Sequence, residues 1–116
     1  MSNLKLLARP FAEVLEWQQD GSCRNVDVSV FFLPDETARG VRRRREIEAK
    51  AICTYCPVRP RCAAHALATR ERYGIWGGFT EAERRRLLAL GWEDLADRRH
   101  RRVDIARLAA RLANSS

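Results

Sequence analysis

The segment Cys53-Thr54-Tyr55-Cys56-Pro57-Val58-Arg59-Pro60-Arg61-Cys62 decides how this chain is read. Cys53 and Cys56, two residues apart, can bring both sulfurs to one centre. Cys62 follows across a bend set by Pro57 and Pro60. The fourth cysteine, Cys23, is separated from Cys53 by 29 residues. A bond from Cys23 to the same centre ties the N-terminal segment to the middle of the chain. The chain has 116 residues, enough for one small domain with a marginal core. A metal centre is one way such a chain makes up for missing core.

The spacing leaves three chemistries open. Four thiolates are the usual full ligand set of an iron–sulfur cluster. Four cysteines can also hold structural zinc, with His65 able to replace one of them. Cys53 and Cys56 alone can form a dithiol/disulfide pair. His65 follows Cys62 by three positions and falls on the same helical face. Its ordinary role is a partly buried helix residue, and it is not expected to be a ligand.

Working outward, the periodicity is helical. The spacing predicts helices over Pro10–Gln19, Arg42–Cys53 and Arg61–Tyr73, with Gly74 as a left-handed cap on the third. Thr80 and Glu83 form a capping box, so a helix starts there and stops at Gly91. Trp92–Arg99 predicts a short helix. Val103–Ala113 carries Ile105, Leu108, Ala109 and Leu112 on one face. Val26–Leu33 is a short apolar run that fits a strand or a short helix. The expected fold class is all-α: a small bundle of short helices with one tight turn at Gly74–Gly78.

About a third of the residues are charged and the net charge is +7, almost all of it from arginine. Such a balance points to a polyanionic partner. No apolar run approaches the roughly 20 residues that span a bilayer. Residues 1–10 lack the apolar region of a signal peptide. The expectation is therefore a cytoplasmic protein without membrane contact, where thiols stay reduced.

Further residues narrow the chemistry. Gly74-Ile75-Trp76-Gly77-Gly78 stands after the cysteines, Glu16-Trp17-Gln18 before the first, and Asp27 and Phe31-Phe32 between. Cysteine order, spacing and the glycine–tryptophan turn together resemble the WhiB-like transcription factors of actinobacteria and their phages. The resemblance covers roughly residues 11–90. Glu16-Trp17-Gln18 looks most like the branch linked to sporulation and redox response.

The resemblance implies a [4Fe–4S] cluster held by Cys23, Cys53, Cys56 and Cys62, enclosed by the helices. It also implies a partner, domain 4 of the primary sigma factor of RNA polymerase. Trp17, Phe31, Phe32 and the turn Gly74, Ile75, Trp76, Gly77 and Gly78 match the family's contact positions. Asp27 matches a position that tunes cluster stability. Adjacent residues cannot both point at one core, so Phe31 and Phe32 are expected to divide between core and surface. Gly74, Gly77 and Gly78 can take positive φ, which lets the chain reverse around Trp76.

Family members usually carry a basic segment after the turn that reaches promoter DNA. Arg98, Arg99, Arg101 and Arg102 fill that place, and such a run supplies salt-dependent affinity more than sequence choice. Arg84-Arg85-Arg86 and Arg42–Arg45 are weaker basic groups, offset by nearby glutamates. No Gly-Arg-Pro hook for the minor groove is present. The helix over Val103–Ala113 can pack back on the domain, dock on polymerase or pair with another chain.

The expected organisation is a tail over 1–10, an iron–sulfur domain over 11–91 and a basic helical segment over 92–116. The expected function is a transcriptional regulator that tunes promoter recognition, in response to redox state or nitric oxide. It is not expected to be an enzyme or to take a small-molecule substrate. The rival readings are a disulfide reductase in the apo form and a zinc-stabilised DNA-binding module. No thioredoxin-like βαβ pattern surrounds Cys53 and Cys56 to support the former.

Overall fold

The structure is a computed structural model and describes residues 21–22, 30–34 and 37–115. Four helices dominate it. Helix α1 spans Arg39–Thr54, α2 Arg59–Thr69, α3 Glu81–Leu90 and α4 Ile105–Asn114. The expected Pro10–Gln19 helix lies outside the described residues.

Helix α1 buries only Ala49 and Cys53. These are four positions apart, so they stack on one face. Most of the arginines and glutamates along α1 are exposed, while Arg42 and Glu46 are half-buried. Helix α2 opens with Pro60 in its first turn and buries Ala63, Ala64, Ala66 and Leu67. Three alanines on that face let neighbouring backbone approach closely. Helix α3 begins with the capping box: Glu83 N–H donates to Thr80 Oγ1 at 3.1 Å, and Thr80 N–H to Glu83 Oε1 at 2.9 Å. It stops at Gly91, whose φ is 89°. Helix α4 is capped by Asp104, which accepts from Arg107 N–H at 3.1 Å.

Two expectations need correction. Trp92–Arg99 is not a helix. A single 3-10 turn over Glu93–Leu95 leads into strand β1, Ala96–Asp97, which pairs antiparallel with β2, Arg102–Val103. The fold is therefore mostly helical with one small hairpin, rather than all-α. Secondly, α2 ends at Arg70 (φ 55°), not at Gly74. Glu71 N–H caps it by donating to Ala66 O at 2.9 Å. The carbonyls of Glu71, Tyr73 and Gly74 are thereby freed for the side chain of Arg84.

Apolar residues gather into two clusters. The larger joins α2, α3, α4 and the hairpin through Ala63, Leu67, Phe79, Leu87, Trp92, Val103, Leu108 and Leu112. The helix over Ile105–Asn114 thus packs back on the domain, with Leu108 fully buried. The smaller cluster joins Val30, Phe31, Ala49 and Cys53, with Ile52 and Ile75 against it. Phe31, at the end of the run Val26–Leu33, lies in a turn, and 32–34 carry neither helix nor strand. Among the described residues no helix is long and apolar enough to cross a membrane.

Candidate metal centre and the turn beside it

The three described cysteines flank one helix junction. Cys53 lies in the last turn of α1, Cys56 in the connection and Cys62 in the first turns of α2. None is in a disulfide. Cys53 is buried, while Cys56 and Cys62 are partly exposed. The backbone N–H of Ser22 points at Cys56 Sγ from 3.3 Å. Ser22 precedes Cys23, so the chain reaches this junction one residue before the fourth cysteine. Cys23 itself, with Trp17 and Asp27, lies outside the described residues.

These residues fit a thiolate-ligated group in their chemistry. They are cysteine sulfurs outside any disulfide, of the type that binds soft metals and iron–sulfur clusters. A backbone N–H directed at one sulfur is the kind of second contact that tunes such ligands. Among the described residues alone, no group of three or more His, Cys, Asp or Glu side chains could hold a metal ion.

The turn stands beside the junction. Trp76 and Phe79 exchange backbone hydrogen bonds at 3.1 and 3.0 Å. Gly77 and Gly78 between them have φ of 61° and 82°. Two successive positive φ values make this a type I′ reversal. The glycine at 77 is also required by space. A Cβ there would stand 2.6 Å from Ala63 Cβ and 2.8 Å from Ala63 N. The turn therefore lies directly on the backbone of α2, one residue past Cys62.

Besides Glu81, whose carboxylate accepts from Gly74 N–H at 3.1 Å, four contacts hold the turn. Ile75 N–H donates to Phe31 O at 2.9 Å, tying the turn to the smaller cluster that contains Cys53. Trp76 Nε1–H donates to Tyr73 O at 3.0 Å. Arg59 Nε–H donates to Gly77 O at 2.8 Å, and its guanidinium lies 6.0 Å from the centre of the Phe79 ring. Arg84 makes the fourth contact and the most extensive one. Its Nη1 donates to Gly74 O at 2.6 Å and Phe79 O at 2.7 Å. Its Nη2 donates to Glu71 O at 3.2 Å and Tyr73 O at 3.4 Å. Burial lowers the pKa of this arginine, and Glu81, Cys62 and Glu71 oppose the shift.

The sequence reading missed Arg84 and Arg59. Arg84 stands in one basic group with Arg85 and Arg86, yet it is 2% exposed while those two are exposed. A signal was available: Arg84, Leu87 and Leu88 share the inward i, i+3, i+4 face of α3. Only a group that satisfies several backbone carbonyls can sit there charged.

The expected aromatic contacts divide. Phe31 is buried at 6% exposure, whereas Phe32 is 42% exposed. Phe32 sits edge-on to Trp76 with ring centres 6.4 Å apart. Trp76 also meets His65, with ring centres 5.6 Å apart. Burial lowers the His65 pKa, and Glu71 partly offsets it. Tyr73 is also largely exposed. Phe32, Trp76 and Tyr73 thus form an accessible aromatic surface, with Phe31 supporting it from inside.

The basic run lies elsewhere, on the β1–β2 hairpin. Arg98, Arg99, Arg101 and Arg102 are all exposed. Asp97 fixes the loop, accepting from His100 N–H at 3.2 Å and meeting His100 Nδ1 at 2.8 Å.

Comparison with known proteins gives one family. The family model described as "Transcription factor WhiB" matches residues 17–87. The transcriptional regulator WhiD of Streptomyces coelicolor is 49% identical over 88 residues, covering 76% of this chain and 79% of WhiD. The redox-responsive transcriptional regulator WhiB3 of Mycolicibacterium smegmatis is 49% identical over 85 residues, covering 73% of this chain and 88% of WhiB3. The transcriptional regulator WhiB4 of Mycobacterium tuberculosis is 38% identical over 99 residues, covering 81% of this chain and 77% of WhiB4.

Proposed function

This chain belongs to the WhiB family of transcription factors, and from that premise we propose how it regulates transcription. It holds a [4Fe–4S] cluster on Cys23, Cys53, Cys56 and Cys62. Through Phe32, Trp76 and Trp17 it binds domain 4 of the primary sigma factor. Arg98, Arg99, Arg101 and Arg102 then meet promoter DNA beside that domain.

One observation supports the reading above the others. The cysteine junction and the aromatic turn are one packed unit. Cys53, Phe31 and Ile75 belong to the same apolar cluster, and Ile75 N–H donates to Phe31 O at 2.9 Å. Cys53 thus shares a packed cluster with Ile75, the residue that precedes Trp76 in the turn. Large aromatic side chains in a held position are typical hot spots of protein interfaces.

When bound, the cluster supplies a centre sensitive to oxidants and nitric oxide. The chain's own residues do the remaining work. Cys53 and Cys56 fix the end of α1, and Cys62 fixes the start of α2. Cys23 joins the N-terminal segment to both. Arg84 and Arg59 hold the turn, so that Trp76 is presented rather than buried. WhiB3 of M. smegmatis is described as redox-responsive, and the same response is proposed here.

The test is anaerobic co-purification with sigma domain 4, scored for iron, sulfide and absorbance. Iron and sulfide in near-equal amounts, with the sigma domain retained, is the expected result. A colourless protein carrying zinc overturns the cluster assignment. A coloured protein that leaves the sigma domain behind overturns the partner.

A further inference from the structure

Between α2 and the β1–β2 hairpin lies an open cleft of about 500 Å³. Four guanidinium groups line it: Arg61 from α2, and Arg98, Arg101 and Arg102 from the hairpin. Among the described residues none of the four has an ion-pair partner. Arg61 Nε is a buried donor with no hydrogen-bond acceptor. Such a donor is uncommon, and Arg84 Nε is the other one among the described residues.

Three other titratable groups face the cleft: Glu93, Asp97 and His65. Both carboxylates are already engaged. Glu93 Oε2 accepts from Trp92 N–H at 3.1 Å, and Asp97 is taken up by His100. His65 is held towards its neutral form by burial. The cleft is therefore net positive. Its floor is apolar, formed by Ala64, Ala68 and Trp92.

We propose that this cleft binds a backbone phosphodiester of promoter DNA. Arg61 joins the hairpin arginines on the phosphate oxygens, and the adjoining sugar rests on the alanine floor. Forked guanidinium groups match phosphate geometry. Arg99 is exposed on the same loop but outside the cleft, which provides a separate cation for a neighbouring phosphate. A row of cations of that kind suits a polymer of charge rather than one small anion. The inference rests on the DNA reading given above and adds to it a residue of α2. Arg61 directly precedes Cys62, so DNA contact and the cysteine junction share one helix. His65 lines the cleft and also packs on Trp76, so the proposed phosphate site adjoins the proposed sigma surface.

The test uses the full chain in complex with sigma domain 4, prepared anaerobically, with a labelled mixed-sequence duplex from about 50 to about 200 mM salt. Arg61→Gln should lower the slope of log affinity against log salt by about 0.9, the loss of one phosphate contact. The loss should be equal on two unrelated sequences, and Arg61→Lys should restore most of the slope. Ala68→Glu, at an exposed helix position, should weaken binding without changing the melting temperature. That arm decides the matter if Arg61→Gln lowers the melting temperature. Wild-type slopes for Arg61→Gln and Ala68→Glu, with a loss for Arg99→Ala, overturn the cleft while leaving the DNA reading intact. No duplex binding at all, or no loss in any variant, overturns both. Displacement of the duplex by inorganic phosphate at matched ionic strength also overturns the proposal, in favour of a free-phosphate site.

Discussion

The buried guanidinium of Arg84 donates to the carbonyl oxygen of Gly74 at 2.6 Å, across ten residues of sequence. The same side chain reaches Glu71, Tyr73 and Phe79, so one residue of α3 fixes both arms of the turn that carries Trp76. Arg84→Met should destabilise the protein by about 2–4 kcal/mol, because several carbonyls lose a charged donor. Arg84→Lys should recover little, since a single ammonium cannot span those acceptors. Thermal melting of the anaerobic protein measures both. A melting temperature unchanged in Arg84→Met contradicts the role given to this residue.

Gly77 has two independent reasons to be glycine. Its φ is 61°, and a Cβ would press on the backbone of Ala63. Gly77→Ala should therefore cost more than the roughly 1 kcal/mol of a conformational penalty, with a further 1–3 kcal/mol from crowding. Gly40 is the internal control. It lies in the first turn of α1 with nothing within 4 Å of its would-be Cβ. Gly40→Ala should be neutral or stabilise by less than about 1 kcal/mol. Equal effects from the two substitutions would refute the close approach.

Phe31 and Phe32 should separate stability from recognition. Phe31→Ala removes a buried ring and should cost about 3–5 kcal/mol. Phe32→Ala removes a ring that is 42% exposed and should cost far less. Its proposed effect is on sigma association, where loss of an aromatic anchor typically exceeds about 2 kcal/mol. Parallel melting and pull-down experiments distinguish the two. Full sigma binding by Phe32→Ala removes this residue from the contact surface.

Glu83 joins the capping box to α1. Its carboxylate meets Lys50 Nζ at 2.9 Å while accepting from Thr80 N–H. Burial raises the Glu83 pKa, but the Thr80 hydrogen bonds and Lys50 outweigh it, and the net shift is downward. A lowered folded pKa means the stabilisation is complete above the ordinary glutamate range, near 4.3, and fades as pH falls through the lowered value. Glu83→Gln should lose about 0.5–2 kcal/mol at neutral pH and little in acid. Melting curves at neutral and acidic pH check the difference, and an equal loss at both contradicts the assignment.

Much of the helical frame was legible because it rests on local signals. Thr80 and Glu83 fix the start of α3, and Gly91 fixes its end. The apolar face of Ile105, Leu108 and Leu112 marked α4, although sequence alone could not tell what covers it. The structure shows that face closing the main core. The hairpin was not legible. Its strands have two residues each, with no β-branched run, and its loop is arginine and histidine. The early end of α2 was hidden for a different reason. It follows from Arg84, thirteen residues beyond Glu71, whose demand for carbonyls outweighs the local signal at Gly74. The division between Phe31 and Phe32 was legible from side-chain alternation, but which one is buried depends on the contact between Phe31 and Ile75.

The central claim is that four cysteines hold one iron–sulfur centre packed beneath the Trp76 surface. It is tested most directly by purifying the chain anaerobically with sigma domain 4, beside Cys23→Ser. The account predicts a coloured wild-type complex containing iron and sulfide. It predicts that Cys23→Ser loses both the iron and the sigma domain. Zinc in place of iron, or a Cys23→Ser protein that keeps iron and partner, would contradict it.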